Sequence, residues 1–207
     1  MRGVAPAALL VAAGLALLGQ ARAEEVSVFI VAGQSNALGY GLEADLPAPL
    51  VSQPDVFYDF WATTARLPGG DYEVSVSTAW GPLEPKALQD GGPRRFGPEL
   101  SFGRAVADGM PGERVAVLKA CGGGTNILEH WERGVAPDPD YPEKSQLYHA
   151  LLGSLDTATY PELAYPAEVT RLDSALSRLT ARGDTYRIAA VVWLQGENEA
   201  GWSAAYT

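Results

Sequence analysis

At 207 residues, with 47% hydrophobic and 19% charged content, the chain is long enough for one globular domain with a sizeable core. A formal charge of −10 offers no basic surface for phosphate backbones, which sets nucleic-acid binding aside. The single cysteine, Cys121, excludes an intramolecular disulfide.

The first 23 residues read as a secretory signal peptide. Arg2 supplies a short positive region, Ala5 to Leu18 is apolar, and Ala21-Arg22-Ala23 has the small-x-small form of a cleavage site. The expected mature start is Glu24, with residues 24–207 forming one domain. The apolar run is short for a membrane span, and no Cys at the cleavage site marks a lipoprotein. No membrane association is expected after cleavage. Loss of Arg2 and Arg22 leaves 13 basic against 25 acidic side chains. An exported chain without disulfides suits a bacterial periplasm or exterior, so the expected location is secreted or periplasmic.

Val26 to Ala32 is nearly continuous in apolar, β-branched residues, the pattern of a strand buried on both faces; Gly33 ends it. Leu42 to Pro54 reads as a Pro-rich loop. Val56 to Trp61 and Tyr72 to Thr78 read as two short strands outside the main sheet. Gly81 to Pro98, dense in Pro and Gly, reads as a surface loop. Pro98 to Ala107 predicts a helix with Pro in its first turn and an apolar stripe of Leu100, Ala105 and Val106. Arg114 to Ala120 is a second buried-type strand, closed by Gly122-Gly123-Gly124. Ser145 to Leu152 predicts a short helix. Pro166 to Ala181 predicts a longer one, because Val169, Leu172, Leu176 and Leu179 recur at helical spacing; Gly183 stops it. Arg187 to Leu194 is a third buried-type strand, ending at Gln195-Gly196. Three apolar strands alternating with helices predict a parallel α/β sheet. Such sheets usually carry further strands, so the fold is expected to be truncated at the C-terminus.

Each of the three strands ends in small and polar residues: Gly33-Gln34-Ser35-Asn36, Gly122-Gly123-Gly124-Thr125-Asn126, and Gln195-Gly196-Glu197-Asn198-Glu199. Ligands bind beyond the carboxyl ends of strands in open parallel sheets, so the clusters are expected to converge. Ser35, in a turn after a buried strand, can present its hydroxyl and its own N–H to one cleft for nucleophilic attack and oxyanion stabilisation. The plainer alternative is a helix cap. The G-x-S-x-G elbow is absent because Ala37 replaces its second Gly. The glycine triplet allows close backbone approach to a ligand, or simply a chain reversal. Gln195 can offer an amide to a developing oxyanion. Glu197 and Glu199 leave a glycosidase open, although side chains two apart at a strand end diverge. A serine nucleophile needs a base, usually His, and neither His130 nor His149 stands in an Asp-x-x-His context. Cys121 reads as a small buried strand-end residue rather than a thiol nucleophile. No His, Asp or Glu spacing suggests a metal, and no cofactor is expected.

These motifs resemble the sialate O-acetylesterase and acetylxylan esterase group of carbohydrate esterases, within the SGNH hydrolases. The resemblance rests on Val31-Ala32-Gly33-Gln34-Ser35-Asn36-Ala37, on Gly122-Gly123-Gly124-Thr125-Asn126-Ile127 with Trp131, and on Trp193-Leu194-Gln195-Gly196-Glu197-Asn198. Phe96-Gly97-Pro98-Glu99-Leu100 matches a further segment, and the whole spans Val26 to Trp202 in order. It implies a three-layer, flavodoxin-like fold and an acetylated carbohydrate as substrate. It also implies Ser35 as nucleophile, with Gly123 N–H and the Gln195 side chain as oxyanion donors. Gly124, Asn36 and Glu197 are further candidates at the site. Two departures stand out: Glu199 occupies a position that is often Asp, and the family's Asp-x-x-His is expected beyond Thr207. The competing expectations are an inactive carbohydrate-binding relative, with Trp61, Trp80, Trp131 or Trp202 stacking on sugars, and a glycosidase using Glu197 or Glu199.

Overall fold

The computed structural model of the chain describes residues 23–66, 72–88, 92–125, 171–198 and 200. In chain order these form β1 (Glu25–Gly33), α1 (Ser35–Leu38), β2 (Gly41–Leu42), a 3-10 turn (Glu43–Asp45), α2 (Ala48–Val51) and β3 (Gln53–Arg66). There follow β4 (Tyr72–Val76), β5 (Gly81–Leu83), β6 (Lys86–Ala87), β7 (Arg94–Phe96), α3 (Glu99–Gly109), β8 (Arg114–Gly122), α4 (Arg171–Ala181) and β9 (Thr185–Leu194).

The main sheet has the order β4-β3-β8-β1-β9, with β5 also paired to β3. β3, β8, β1 and β9 are parallel to their neighbours, whereas β4 and β5 run antiparallel to β3. The sheet is therefore mixed, not wholly parallel. Helices cover both faces. On one, Val26, Val28, Ile30 and Ala32 of β1 pack with Ala116, Leu118 and Ala120 of β8 against Leu172, Ala175, Leu176 and Leu179 of α4. On the other, Phe29 and Val31 pack with Val115, Val117 and Cys121 against Ala37 and Leu38 of α1 and Leu100 of α3. The alternation of β1 between these two cores follows from the two-residue period of a strand. It explains why β1 and β8 read as nearly continuous apolar runs.

Several expectations are corrected. Residues 56–61 belong to a 14-residue strand inside the main sheet, not to an excursion: Val56 through Thr63 pair in register with Val115 through Gly122. The tract from Gly81 to Pro98 is not simply a loop, since it supplies β5, β6 and β7; β7 joins β2 and β6 in a second, three-stranded sheet. In α3 the buried residues are Glu99, Leu100 and Gly103, while Ala105 is exposed. Gly103 is on the inner face because a Cβ there would lie 2.4 Å from Leu83 Cδ2.

β9 is a strand parallel to β1, as expected, but it is not buried. Val191 is 56% exposed and Trp193 41%. It is the outermost strand of the described sheet. A register shift against Val28/Phe29 places an extra residue, Ala189, in β9. Such a bulge moves the following side chains to the opposite face, which brings Val192 and Leu194 into the core of α1 and α3. The described part of the fourth helix is Arg171–Ala181, closed by Gly183 at φ +86°. Val169 and the helix expected over Ser145 to Leu152 lie outside the described residues, as do residues 1–22 of the expected signal peptide. Among the described residues no helix is long and apolar enough to cross a membrane.

Candidate active site

β1 lies between β8 and β9, so the three strand ends carrying polar clusters are adjacent. Gly33, at φ +137°, closes β1 against β9. A Cβ on Gly33 would stand 1.9 Å from the Leu194 carbonyl oxygen, and the next N–H, of Gln34, donates to that same oxygen at 3.0 Å. Only glycine allows this approach. The backbone then turns, and Ser35 becomes the first residue of α1, half-buried beside the exposed Asn36. Gln34 occupies the cap position and no side-chain capping bond closes the helix start. Ser35 is therefore not a cap, and the plainer reading of this residue falls away.

Side chains then join the three clusters. Gln195 Nε2 donates to Gln34 Oε1 at 3.0 Å and to the Thr125 carbonyl at 3.1 Å. Thr125, fully buried, donates its hydroxyl to the Gly122 carbonyl at 2.9 Å. Asn36 Nδ2 donates to Glu197 Oε1. Asn198 Nδ2 donates to the Gly124 carbonyl at 3.2 Å. The Ser35 turn, the glycine turn and the Gln195 turn thus form one hydrogen-bonded assembly at the carboxyl edge of the sheet. Gly123 is buried and Gly124 exposed with φ +68°. Both amide hydrogens of Gln195 are directed at Gln34 and Thr125, so Gln195 ties the three turns together. It reaches an oxyanion only by exchanging one of these bonds.

The family follows from a match over residues 25–207 to the family described as "Carbohydrate esterase, sialic acid-specific acetylesterase". The chain belongs to this carbohydrate esterase family. No curated protein matches it in sequence. Solved structures similar to this esterase-family chain include an Arabidopsis thaliana protein (18% identity, TM-score 0.43, 84% of this chain and 58% of that one). A second is NanS (18%, 0.41, 87% and 57%). A third is a carbohydrate acetylesterase from Xanthomonas citri (16%, 0.37, 84% and 33%). The chain spans less than two thirds of the length of each of these.

Among the other candidates, burial pushes the Cys121 thiol up to about 12, and the side chain is enclosed in the core beneath α1 and α3. It is no nucleophile at neutral pH. Trp61 and Trp80 belong to the core under α4, with Trp80 Nε1 donating to the Ala175 carbonyl at 2.7 Å; neither is a sugar-stacking platform. His130, His149, Trp131, Trp202, Asn126 and Glu199 lie outside the described residues. Among the described residues no group of three or more His, Cys, Asp or Glu is placed to hold a metal.

Two residues of the candidate site escaped sequence reasoning in their structural roles. Gln34 and Thr125 stand inside the motifs, yet it is their buried polar contacts with Gln195 that connect the turns. The available signal was their polarity at the ends of otherwise apolar strands, where a buried polar group must find a partner.

Proposed function

We propose that this chain carries the nucleophile and oxyanion hole of a carbohydrate O-acetylesterase of the SGNH type, acting on sialic acid or xylan-type glycans. Ser35 Oγ attacks the acetyl carbonyl carbon and its proton passes to a general base. The resulting oxyanion is held by the N–H groups of Ser35 and Gly123 and by the Gln195 amide, which gives up one of its present bonds. Collapse of the tetrahedral intermediate releases the sugar hydroxyl and leaves acetyl-Ser35. Water then attacks this ester, releasing acetate and restoring the serine.

The observation that carries the reading is the junction of three strand ends with Ser35 on the middle one, in a chain of the carbohydrate esterase family. The strand order, with the Ser35 strand between the glycine-turn and Gln195 strands, supports the SGNH assignment. We assign residues 1–23 as the signal peptide and the secreted or periplasmic compartment as the location. The test uses the natural full-length protein with p-nitrophenyl acetate, acetylated glycans and p-nitrophenyl glycosides. Acetyl release is expected, lost in Ser35→Ala and lowered about 10²–10³-fold in Gln195→Ala, the usual effect of one oxyanion donor. A Ser35→Ala protein with near-normal acetyl release refutes the nucleophile assignment. Cleavage of glycosides without acetyl release would favour Glu197 chemistry instead.

A further inference from the structure

Beyond the residues of the proposed reaction, a buried ion pair lies directly behind the Ser35 turn. Lys119 is 3% exposed and Glu99 1%. Lys119 occupies the row of β8 whose other members, Val115, Val117 and Cys121, face the core of α1 and α3. Its ammonium donates to Glu99 Oε2 at 2.8 Å and to the Leu38 carbonyl at 2.5 Å. Both Glu99 oxygens accept the Gly97 N–H at 3.1 Å. Gly97 is wedged between these groups: a Cβ there would stand 2.9 Å from Glu99 Oε2, 2.9 Å from Leu38 O and 3.0 Å from Ala37 O. Gly39, at φ +76°, packs so close that its own Cβ would lie 2.1 Å from Gly97 Cα.

A buried ion pair is a weak source of stability. Desolvating two charges is costly, and an apolar pair of similar volume is often as stable or more so. What the pair reaches is the carbonyl end of α1. That helix has four residues, too few to sustain itself, and its last carbonyls lack intrahelical partners. A cation there is favoured by the helix dipole. Only one turn separates the clamped end from Ser35: Gly39 N–H donates to Ser35 O at 2.9 Å and Leu38 N–H to Gln34 O at 2.8 Å.

We propose that Lys119, oriented and neutralised by Glu99, is a positioning residue that holds the carbonyl end of α1 and thereby fixes the Ser35 hydroxyl. The inference rests on Ser35 being the nucleophile. A misplacement of about 1 Å at a reacting group costs on the order of 10²-fold in rate, so a loosened α1 acts on kcat and leaves substrate binding little changed.

The test pairs kinetics with amide hydrogen exchange on the full-length protein. In Lys119→Met/Glu99→Gln, the introduced amide oxygen still accepts the Gly97 N–H and no charge is left buried alone. Exchange at the Leu38 and Gly39 amides is expected to rise about tenfold or more, while kcat on p-nitrophenyl acetate falls about 10²-fold and KM stays within about twofold. Should that variant fail to fold, Lys119→Gln/Glu99→Gln is read the same way. Leu179→Ala, in the core on the opposite face of the sheet, should lower the Tm and leave kcat unchanged. Unchanged exchange at Leu38 and Gly39 overturns the clamp. Raised exchange with wild-type kcat overturns its link to the serine. A Ser35→Ala enzyme that still turns over removes the nucleophile reading instead, and this result is distinct because exchange in the Lys119 variant still reports the clamp.

Discussion

Replacing Gly33 by Ala tests the junction on which the site is built. The added methyl would sit 1.9 Å from the Leu194 carbonyl oxygen, 2.6 Å from its carbon and 3.1 Å from its nitrogen. All three are backbone atoms of β9, so no side-chain rotation relieves the overlap. The φ of +137° is itself unfavourable for a residue with a Cβ, at about 1–3 kcal/mol. Moving β9 away sacrifices the 3.0 Å bond from Gln34 N–H to Leu194 O, worth about 0.5–1.5 kcal/mol. The expected loss is roughly 2–4 kcal/mol, or about 5–15 °C in Tm for a domain of this size. Because Gln195 follows Leu194 directly, the Gln34–Gln195 bond is lost as well, and acetyl release should fall further than the fraction unfolded explains. The assay is thermal melting by circular dichroism beside acetyl release at a temperature where both proteins are folded. Gly109→Ala is the control: a Cβ there meets nothing within 4 Å, and in a helix Ala is favoured over Gly by about 1 kcal/mol. A Gly33→Ala protein melting within about 1 °C of wild type would refute the reasoning.

Leu179→Ala, which empties a fully buried position on the sheet-facing side of α4, should cost about 2–5 kcal/mol, measured by urea denaturation. Cys121, with its thiol raised to about 12 by burial, should resist iodoacetamide at pH 7 until the protein is unfolded; rapid labelling of the native protein would contradict its enclosure. Glu113 is held below its ordinary value of 4.5, first by the Ser27 hydroxyl and then by Arg187. A depressed carboxyl stabilises the fold above pH 4.5 and loses that contribution as pH falls through its folded value. Glu113→Gln should therefore flatten the dependence of Tm on pH below about pH 5, and an unaltered slope would contradict the assignment.

The parts of the fold legible in the sequence are those in which one physical signal dominates. β1 and β8 are apolar on both faces because both faces are covered, and α4 shows its stripe of Leu172, Leu176 and Leu179. β3 was harder to read. Asp55 and Asp59 interrupt its apolar pattern, and their partners, Arg104 and Arg178, come from helices distant in the chain. β9 misleads in the opposite direction: its composition suits a covered strand, but exposure depends on what stands beside it, which composition does not encode. The bulge at Ala189 exchanges its faces without any glycine or proline to mark it. Lys119 passes unmarked in the reading of Arg114 to Ala120 as a buried-type strand, because its meaning depends on the Leu38 carbonyl of another element.

The candidate site has the same logic as these misreadings, because its parts are local and its organisation is not. Ser35, Gly123 and Gln195 each stand at a strand end that the sequence marks with glycine. What makes them one site is a set of buried polar groups that must be satisfied together. Gln34 and Thr125 are buried and need partners; Gln195 Nε2 supplies one to the Gln34 side chain and one to the Thr125 carbonyl. Removing the Gln195 amide leaves two acceptors from two different strand ends without that donor. The same side chain that is proposed to receive the oxyanion therefore also sets the spacing between the Ser35 turn and the glycine turn. Gln195→Glu separates these two duties. The carboxylate keeps the length but offers no N–H to Gln34 Oε1 or the Thr125 carbonyl, and its charge opposes a developing oxyanion. Gln195→Glu should lower kcat below that of Gln195→Ala, since the alanine variant leaves room for water to bridge the two acceptors. A glutamate variant faster than the alanine variant would show that the length of the side chain, and not its donor, is what the site requires.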